Sequence, residues 1–326
     1  MILLRQATGS SSRAAVIVGL GLIGSALASN LTRIGWRIVR RLAVDWSRPD
    51  DVATQLDALS GDPVGASAAT DAGSGEGPLA VVWCAGRAGF GATEAETRGE
   101  FENFRQVVDC AERLAAERPL DFHMLSSAGG LYEGQRLVGP TSRPSPLRPY
   151  GELKLRQEAL LAQMRGARRE VVYRPTAVFG YVRPGRRMGL VPTLVMNGLR
   201  HGVTAIQGRM TTLREFIWIE DLASYLAAAL TAGDEAERAK TVVLSSCKPC
   251  SILEVRKLVE DALGRRIYVS VSREAANDEH ITFAPGAVPP DWRSTDLGTS
   301  VRRVVAEAVR QGVARKPRPA AAGLGG

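Results

Sequence analysis

Short apolar runs alternate with helical repeats along this chain. Ala14 to Val18, Trp36 to Arg41, Leu79 to Cys84, Phe122 to Leu125, Val171 to Pro175, Val242 to Ser245 and Arg266 to Val271 have the length of strands. Several carry no polar face, as strands covered on both sides do. Between them the period lengthens to that of a helix: Ser25 to Ile34, Asp50 to Leu59, Glu100 to Glu117, a segment opening at Pro149, Leu190 to Leu199, Leu222 to Leu230 and Ile252 to Leu263. In Glu100 to Glu117 the residues Phe101, Phe104, Val107, Val108, Ala111, Leu114 and Ala115 share one side, so this helix packs on the sheet or on a second subunit. Leu213 to Ile219 is a strand-like run that feeds the helix after it. Strands and helices in alternation predict an α/β chain.

Two stretches break the pattern. Ser60 to Pro78 is rich in Gly, Ala, Ser, Asp and Pro and predicts a flexible surface insertion. Lys316 to Gly326 has almost nothing to bury and predicts a disordered tail.

Composition narrows the class. With 326 residues, 45% of them hydrophobic, the chain can build one large or two modest domains. No run approaches the roughly 20 apolar residues of a membrane span, and Met1 to Arg13 lacks the regions of a secretory signal, so a cytoplasmic protein is expected. Cys84, Cys110, Cys247 and Cys250 are too scattered for a disulfide framework, and no Cys/His set has metal-ligand spacing. Cys247 and Cys250 read as structural. The net charge is +8, from 42 Lys and Arg against 34 Asp and Glu. The basic residues are spread over the chain without interleaved aromatics, so nucleic acid is not expected; phosphorylated small molecules or solubility account for the charge.

Candidate chemistry begins after the first strand. Gly19, Leu20, Gly21, Leu22, Ile23 and Gly24 join that strand to a helix, and this is the context in which three such glycines hold a dinucleotide. The first permits a tight turn, the second lets a pyrophosphate approach the backbone, and the third lets helix pack on strand. Cofactor choice is expected at the end of the strand Trp36 to Arg41, where two signals compete. Asp45, 21 residues after Gly24, suits the ribose 2'-hydroxyl of NAD, whereas Arg40 and Arg41 suit the 2'-phosphate of NADP. In another arrangement Asp45 and Trp46 flank the adenine. Ala85 and Gly86 end their strand with side chains small enough to pass under a cofactor.

Ser126 and Ser127 end the strand Phe122 to Leu125, where ligands meet a parallel sheet. Tyr150 and Lys154 then stand four apart at the start of a helix and share a face. A cation beside a phenol favours the phenolate, which makes the tyrosine a general base or acid.

In order and spacing, the glycine turn at Gly19 to Gly24, Ser126 and Ser127, the Tyr150/Lys154 pair, the run Arg174 to Gly180 and the run Arg214 to Asp221 resemble extended short-chain dehydrogenase/reductases. More narrowly, they resemble the NAD-dependent epimerase/dehydratase branch that acts on nucleotide sugars. The resemblance spans nearly the whole chain. It implies a Rossmann-type, doubly wound parallel sheet over residues 1–178 and a smaller C-terminal α/β domain over residues 179–315, with some segments returning to the first. NAD, or less favoured NADP, would contact the glycine turn, Ala85, Gly86, Pro175 and Val178. Tyr150 would exchange a proton with the sugar hydroxyl. Lys154 would bond the nicotinamide ribose and support the Tyr150 phenolate. Ser127, with Ser126 behind it, would hold the same hydroxyl, and Arg214 the substrate diphosphate. The helices at Glu100 and Tyr150 resemble those of a four-helix homodimer interface.

The chain departs from the family in places. Ala128 stands four residues before Tyr132, where many relatives place the catalytic Ser or Thr, and the acidic pair of dehydratases is replaced by Ala128, Gly129 and Gly130. Sugar dehydration is therefore not expected. An epimerase working through a 4-keto sugar leads, an NADPH-dependent reductase of an NDP-4-keto-6-deoxysugar follows, and a non-catalytic NAD(P)-sensing Rossmann protein has no use for the Tyr150/Lys154 pair.

Overall fold

Five parallel strands form the centre of the computed structural model, which describes residues 1–6, 13–60, 77–183, 188–232, 239–274 and 277–313. Most of the predicted insertion and all of the predicted tail lie outside the described residues. The strands β2 (Ala14–Val18), β4 (Leu79–Trp83), β5 (Leu120–Leu125), β6 (Arg169–Pro175) and β11 (Ala239–Leu244) pair in that order. Every residue of β2 and β5 is buried, which is why these runs carry no polar face.

Helices cover both sides. On one, α1 (Leu22–Arg33) and α7 (Ile219–Thr231) bring Leu27, Leu31, Leu222, Leu226 and Leu230 onto the sheet. On the other, α2 (Pro49–Ser60), α3 (Glu94–Glu117) and α5 (Pro149–Leu161) supply Val52, Leu56, Phe104, Val107, Leu114 and Leu161. The first predicted residue of α3 was Glu100; the helix starts six residues earlier because Thr93 and Glu96 form a capping box.

Beyond β2 the sheet differs from expectation. The strand β1 (Ile2–Gln6) runs antiparallel to both β2 and β3 (Trp36–Arg41) and separates them. Ile2 and Leu4 enter the core on one face of the sheet, Met1 and Leu3 the core on the other. This leaves β3 at the edge, exposed at all but Trp36.

The C-terminal half builds its own core. The helices α6 (Leu190–Leu199), α8 (Ile252–Leu263) and α9 (Leu297–Arg310) gather Val191, Leu194, Val255, Val259, Val301 and Val304. Around them lie three strand pairs: β7 (Ala177–Phe179) with β10 (Phe216–Trp218), β8 (Val203–Gln207) with β13 (Tyr268–Ser272), and β9 (Leu213–Arg214) with β12 (Cys250–Ser251). The run Leu213 to Ile219 is thus two short strands and the first residue of α7. Among the described residues no helix is long and apolar enough to cross a membrane.

Candidate active site

The carboxyl ends of β2, β4, β5 and β6 share one edge of the sheet, and the candidate residues collect there. Gly19 leaves β2 with φ +98°, and a Cβ on it would lie 2.5 Å from the backbone of Ala85. A Cβ on Gly24 would lie 1.9 Å from the Gly19 carbonyl oxygen. At Gly21 a Cβ would meet nothing within 4 Å. Two glycines therefore close the turn on itself, and the middle one leaves its backbone open to a ligand. Leu22 and Ile23 begin α1, whose first turn has neither an acidic residue nor a side-chain cap. Its free N–H groups and dipole favour an anion, so the residues present fit a dinucleotide pyrophosphate.

The predicted adenosine-side residues are less closely grouped. Because β1 lies between β2 and β3, Arg40 and Arg41 stand one strand farther from the glycine turn than adjacent pairing would put them. The Asp45 Oδ1 accepts from the hydroxyl and N–H of Ser47 at 2.6 and 3.0 Å, and these bonds hold its carboxyl below the usual range. Trp46 meets the indole of Trp83 edge-on at 6.3 Å, and Asn103 donates to its carbonyl, so this loop lies over the end of β4.

Pro149 occupies the first turn of α5, where its missing N–H costs nothing. Tyr150 follows, and the Lys154 Nζ lies 5.8 Å from the centre of its ring, as the four-residue spacing predicts. Two glycines allow α5 to seat against the short helix α4 (Ala128–Leu131). A Cβ on Gly151 would fall 2.1 Å from the Gly130 carbonyl oxygen, and one on Gly130 would fall 3.0 Å from the Tyr150 ring. On another side of that ring stands Phe90, 6.0 Å between centroids, with the Arg148 guanidinium 5.1 Å from the centre of the Phe90 ring.

The two serines part company. Ser127 caps α4 by accepting from Gly130 N at 3.1 Å, and it lines a cleft together with Phe90, Gly129, Thr176, Arg214 and Phe283. Ser126 is buried and donates to Glu158 Oε1 at 2.5 Å. The same carboxylate takes two bonds from Arg174, which also reaches the Tyr132 hydroxyl. Arg214, on β9, donates to the carbonyls of Leu213, Asn277 and Glu279. Burial pulls its pKa down, with Glu133 and Glu279 pulling the other way, so it is a partly desolvated cation at the cleft. Pro175 is buried at the end of β6, and Val178 packs between the sheet and the C-terminal core.

A family model for the NAD dependent epimerase/dehydratase family matches residues 15–245, from β2 to just beyond β11. The chain belongs to that family. No curated protein sequence matches it. Among solved structures it shares its fold with UDP-glucose 4-epimerase from Brucella ovis in complex with NAD, at TM-score 0.73 and 20% identity over 90% of this chain and 97% of the other. The UDP-glucose 4-epimerase of Thermus thermophilus, in complex with NAD, gives TM-score 0.72 and 18% identity over 90% and 98%. RMD from Pseudomonas aeruginosa complexed with NADPH gives 0.68 and 16% over 92% and 99%.

In this epimerase/dehydratase chain the site also holds residues that sequence reading passed over. Glu158 follows Lys154 by four and Tyr150 by eight, so helical spacing alone could have placed it on the same face. Phe90, Glu100 and Thr176 carry no such signal. Thr176 lines the cleft, and its buried hydroxyl has no hydrogen-bond partner among the described residues. Glu100 reaches the site only because α3 packs against α5; its Oε1 accepts from Lys154 Nζ at 3.1 Å.

Proposed function

We propose that this chain is an NAD(P)-dependent nucleotide-sugar epimerase that works through a 4-keto sugar, with Tyr150 as general base. The observation that carries the reading is the Tyr150/Lys154 pair seated beside a cleft that Ser127 and Arg214 share, on the same sheet edge as the open glycine turn. The fold likeness to UDP-glucose 4-epimerases in complex with NAD supports it.

Gly19, Gly21, Leu22, Ile23 and Gly24 would hold the pyrophosphate, with Ala85, Gly86, Pro175 and Val178 along the rest of the dinucleotide. When bound, the cofactor takes up and returns a hydride. Tyr150 removes the proton of the sugar hydroxyl and later gives it back, and Lys154 would bond the nicotinamide ribose. Ser127 holds the same oxygen. Arg214 binds the diphosphate, where a fixed, desolvated fork suits phosphate oxygens. Residues 1–178 would then serve the cofactor, and most of residues 179–315 the nucleotide. A homodimer would form across the outer faces of α3 and α5, where Leu155 is 37% exposed. Of the apolar stripe of α3, Phe104, Val107, Val108, Ala111 and Leu114 are buried within the monomer, whereas Phe101 is half-buried beneath Arg156.

A second reading, an NADPH-dependent reductase of an NDP-4-keto-6-deoxysugar, uses the same residues. The likeness to RMD complexed with NADPH favours it. Mass spectrometry of the small molecules released on denaturation separates the two. Tightly held NAD is the expected result, because an enzyme that returns its hydride within one cycle need not release the cofactor. An empty protein that binds NADPH reversibly would put the reductase first, and one that binds neither dinucleotide would sink both.

A further inference from the structure

Glu100 is a buried carboxylate to which the chemistry above gives no task. Its side chain is 8% exposed and that of Lys154 5%. The two Glu100 oxygens face different groups. Oε1 accepts from Lys154 Nζ at 3.1 Å, and Oε2 accepts from the backbone N–H of Arg87 and of Ala88, each at 2.9 Å. Those N–H groups belong to the loop that leaves β4 through Ala85 and Gly86 and carries Phe90 to the Tyr150 ring. The loop is shaped around the carboxylate, since a Cβ on Gly86 would fall 2.9 Å from Glu100 Oε1. Lys154 also donates to Gln157 Oε1 at 3.0 Å. An ammonium has three donors; two are held among the described residues, and one is left for a ligand.

We propose that Glu100 is a positioning residue that fixes the Lys154 ammonium and the loop at residues 86–90 as one unit, setting the third Lys154 donor before the dinucleotide arrives. The inference rests on the reading of Tyr150 and Lys154 given above. Its physical basis is twofold. A lysine stem is flexible, and a buried ammonium keeps its charge and place only when a counter-charge holds it. A carboxylate accepts at both ends, whereas an amide must turn its NH2 toward either Lys154 or the loop N–H groups, both of which are donors.

The experiment is calorimetric titration of NAD and of NADPH into wild type, Glu100→Asp, Glu100→Gln, Lys154→Met and Glu100→Gln/Lys154→Met, with thermal unfolding of each. Glu100→Gln and Lys154→Met should each weaken binding about tenfold, Glu100→Asp about threefold or less, and the double variant no more than Lys154→Met alone, because the two residues act through one contact. A folded Glu100→Gln that binds like wild type, or a double variant weakened by the product of the two single effects, overturns the proposal. Where Glu100→Gln fails to fold, the double variant decides. Removing the buried cation as well should restore a fold that binds like Lys154→Met, and a double variant that also fails marks Glu100 as a structural tie and overturns the proposal. Unchanged binding by Lys154→Met overturns both the role of Lys154 and the inference built on it, whereas unchanged binding by Glu100→Gln alone overturns only the inference.

Discussion

Ser126 and Ser127 are adjacent in the chain, yet one hydroxyl is spent on Glu158 inside the protein and the other stands at the cleft. Their alanine variants should therefore fail differently. Ser127→Ala should lower kcat by about 10 to 100-fold, since it removes one hydrogen bond to the reacting oxygen, and should cost about 0.5–2 kcal/mol in stability because the same hydroxyl caps α4. Ser126→Ala should cost about 1–3 kcal/mol in chemical denaturation, because the buried carboxylate loses a donor, and should change kcat less. The reverse pattern would mean the serine roles are exchanged. Tyr150→Phe should keep dinucleotide binding and lose about 10²- to 10⁴-fold in turnover, the span general acid–base catalysis supplies; steady-state kinetics beside a binding titration checks both halves. Farther from the cleft, His123 sits in the sheet with its Nδ1 3.0 Å from the Tyr173 hydroxyl. Burial pulls its pKa down to about 4, with Asp121 opposing. The folded value lies below the ordinary 6.5, so the unfolded chain takes up the proton first, and stability falls as pH drops from about 6.5 to 4. At pH 4.5 the loss relative to neutral pH is of order 2–3 kcal/mol. Comparing urea unfolding of wild type and His123→Gln at the two pH values should show the variant losing less, and equal losses would count against the buried neutral imidazole.

Elements were legible where one local rule decides them. The glycine turn is such a case, because its three positions each meet a different steric demand, and α5 is another, because a proline start and a four-residue spacing survive folding intact. What the sequence hid depends on contacts between elements. Nothing in Gly130 and Gly151 alone says that two backbones touch there, yet a Cβ at Gly151 would lie 2.1 Å from the Gly130 oxygen. Glu100 reads as an ordinary polar helix residue until α3 is laid against α5. Likewise α9 and β8 gave no clear signal, and both are held by the C-terminal core rather than by local pattern. The α4–α5 seat carries its own prediction. Gly151→Ala should push the start of α5 away from α4 and with it the Tyr150 ring, costing about 1–3 kcal/mol as overpacking does and lowering turnover more than dinucleotide binding. A Gly151→Ala protein with wild-type stability and rate would show that the two helices can part without consequence.

At the scale of the molecule, the feature least foreseen is the first strand. A parallel sheet built from βα units would place β3 directly beside β2, whereas β1 enters between them and pairs with both in antiparallel register. It is a fully inner strand despite its position in the chain: Ile2 and Leu4 are 1% and 0% exposed on one face, Met1 and Leu3 5% and 4% on the other. The two cores on either side of the sheet are thus tied together by four consecutive side chains, and β3 has β1 as its sheet neighbour. Leu4→Ala should therefore behave as a mutation in the centre of a domain and cost about 2–5 kcal/mol, a large share of the roughly 5–15 kcal/mol that holds a typical domain folded. Ile38→Ala on the exposed edge strand, 39% exposed, should cost less than about 1 kcal/mol. Hydrogen exchange adds the topological half of the argument. In Leu4→Ala the amides of β3 should lose protection together with those of β1, because opening one frees the other, whereas β3 amides that stay protected after β1 has opened would require a second partner for that edge. A Leu4→Ala protein as stable as wild type would mean that β1 is only a strap on the sheet and that β2 and β3 are held in place by something else.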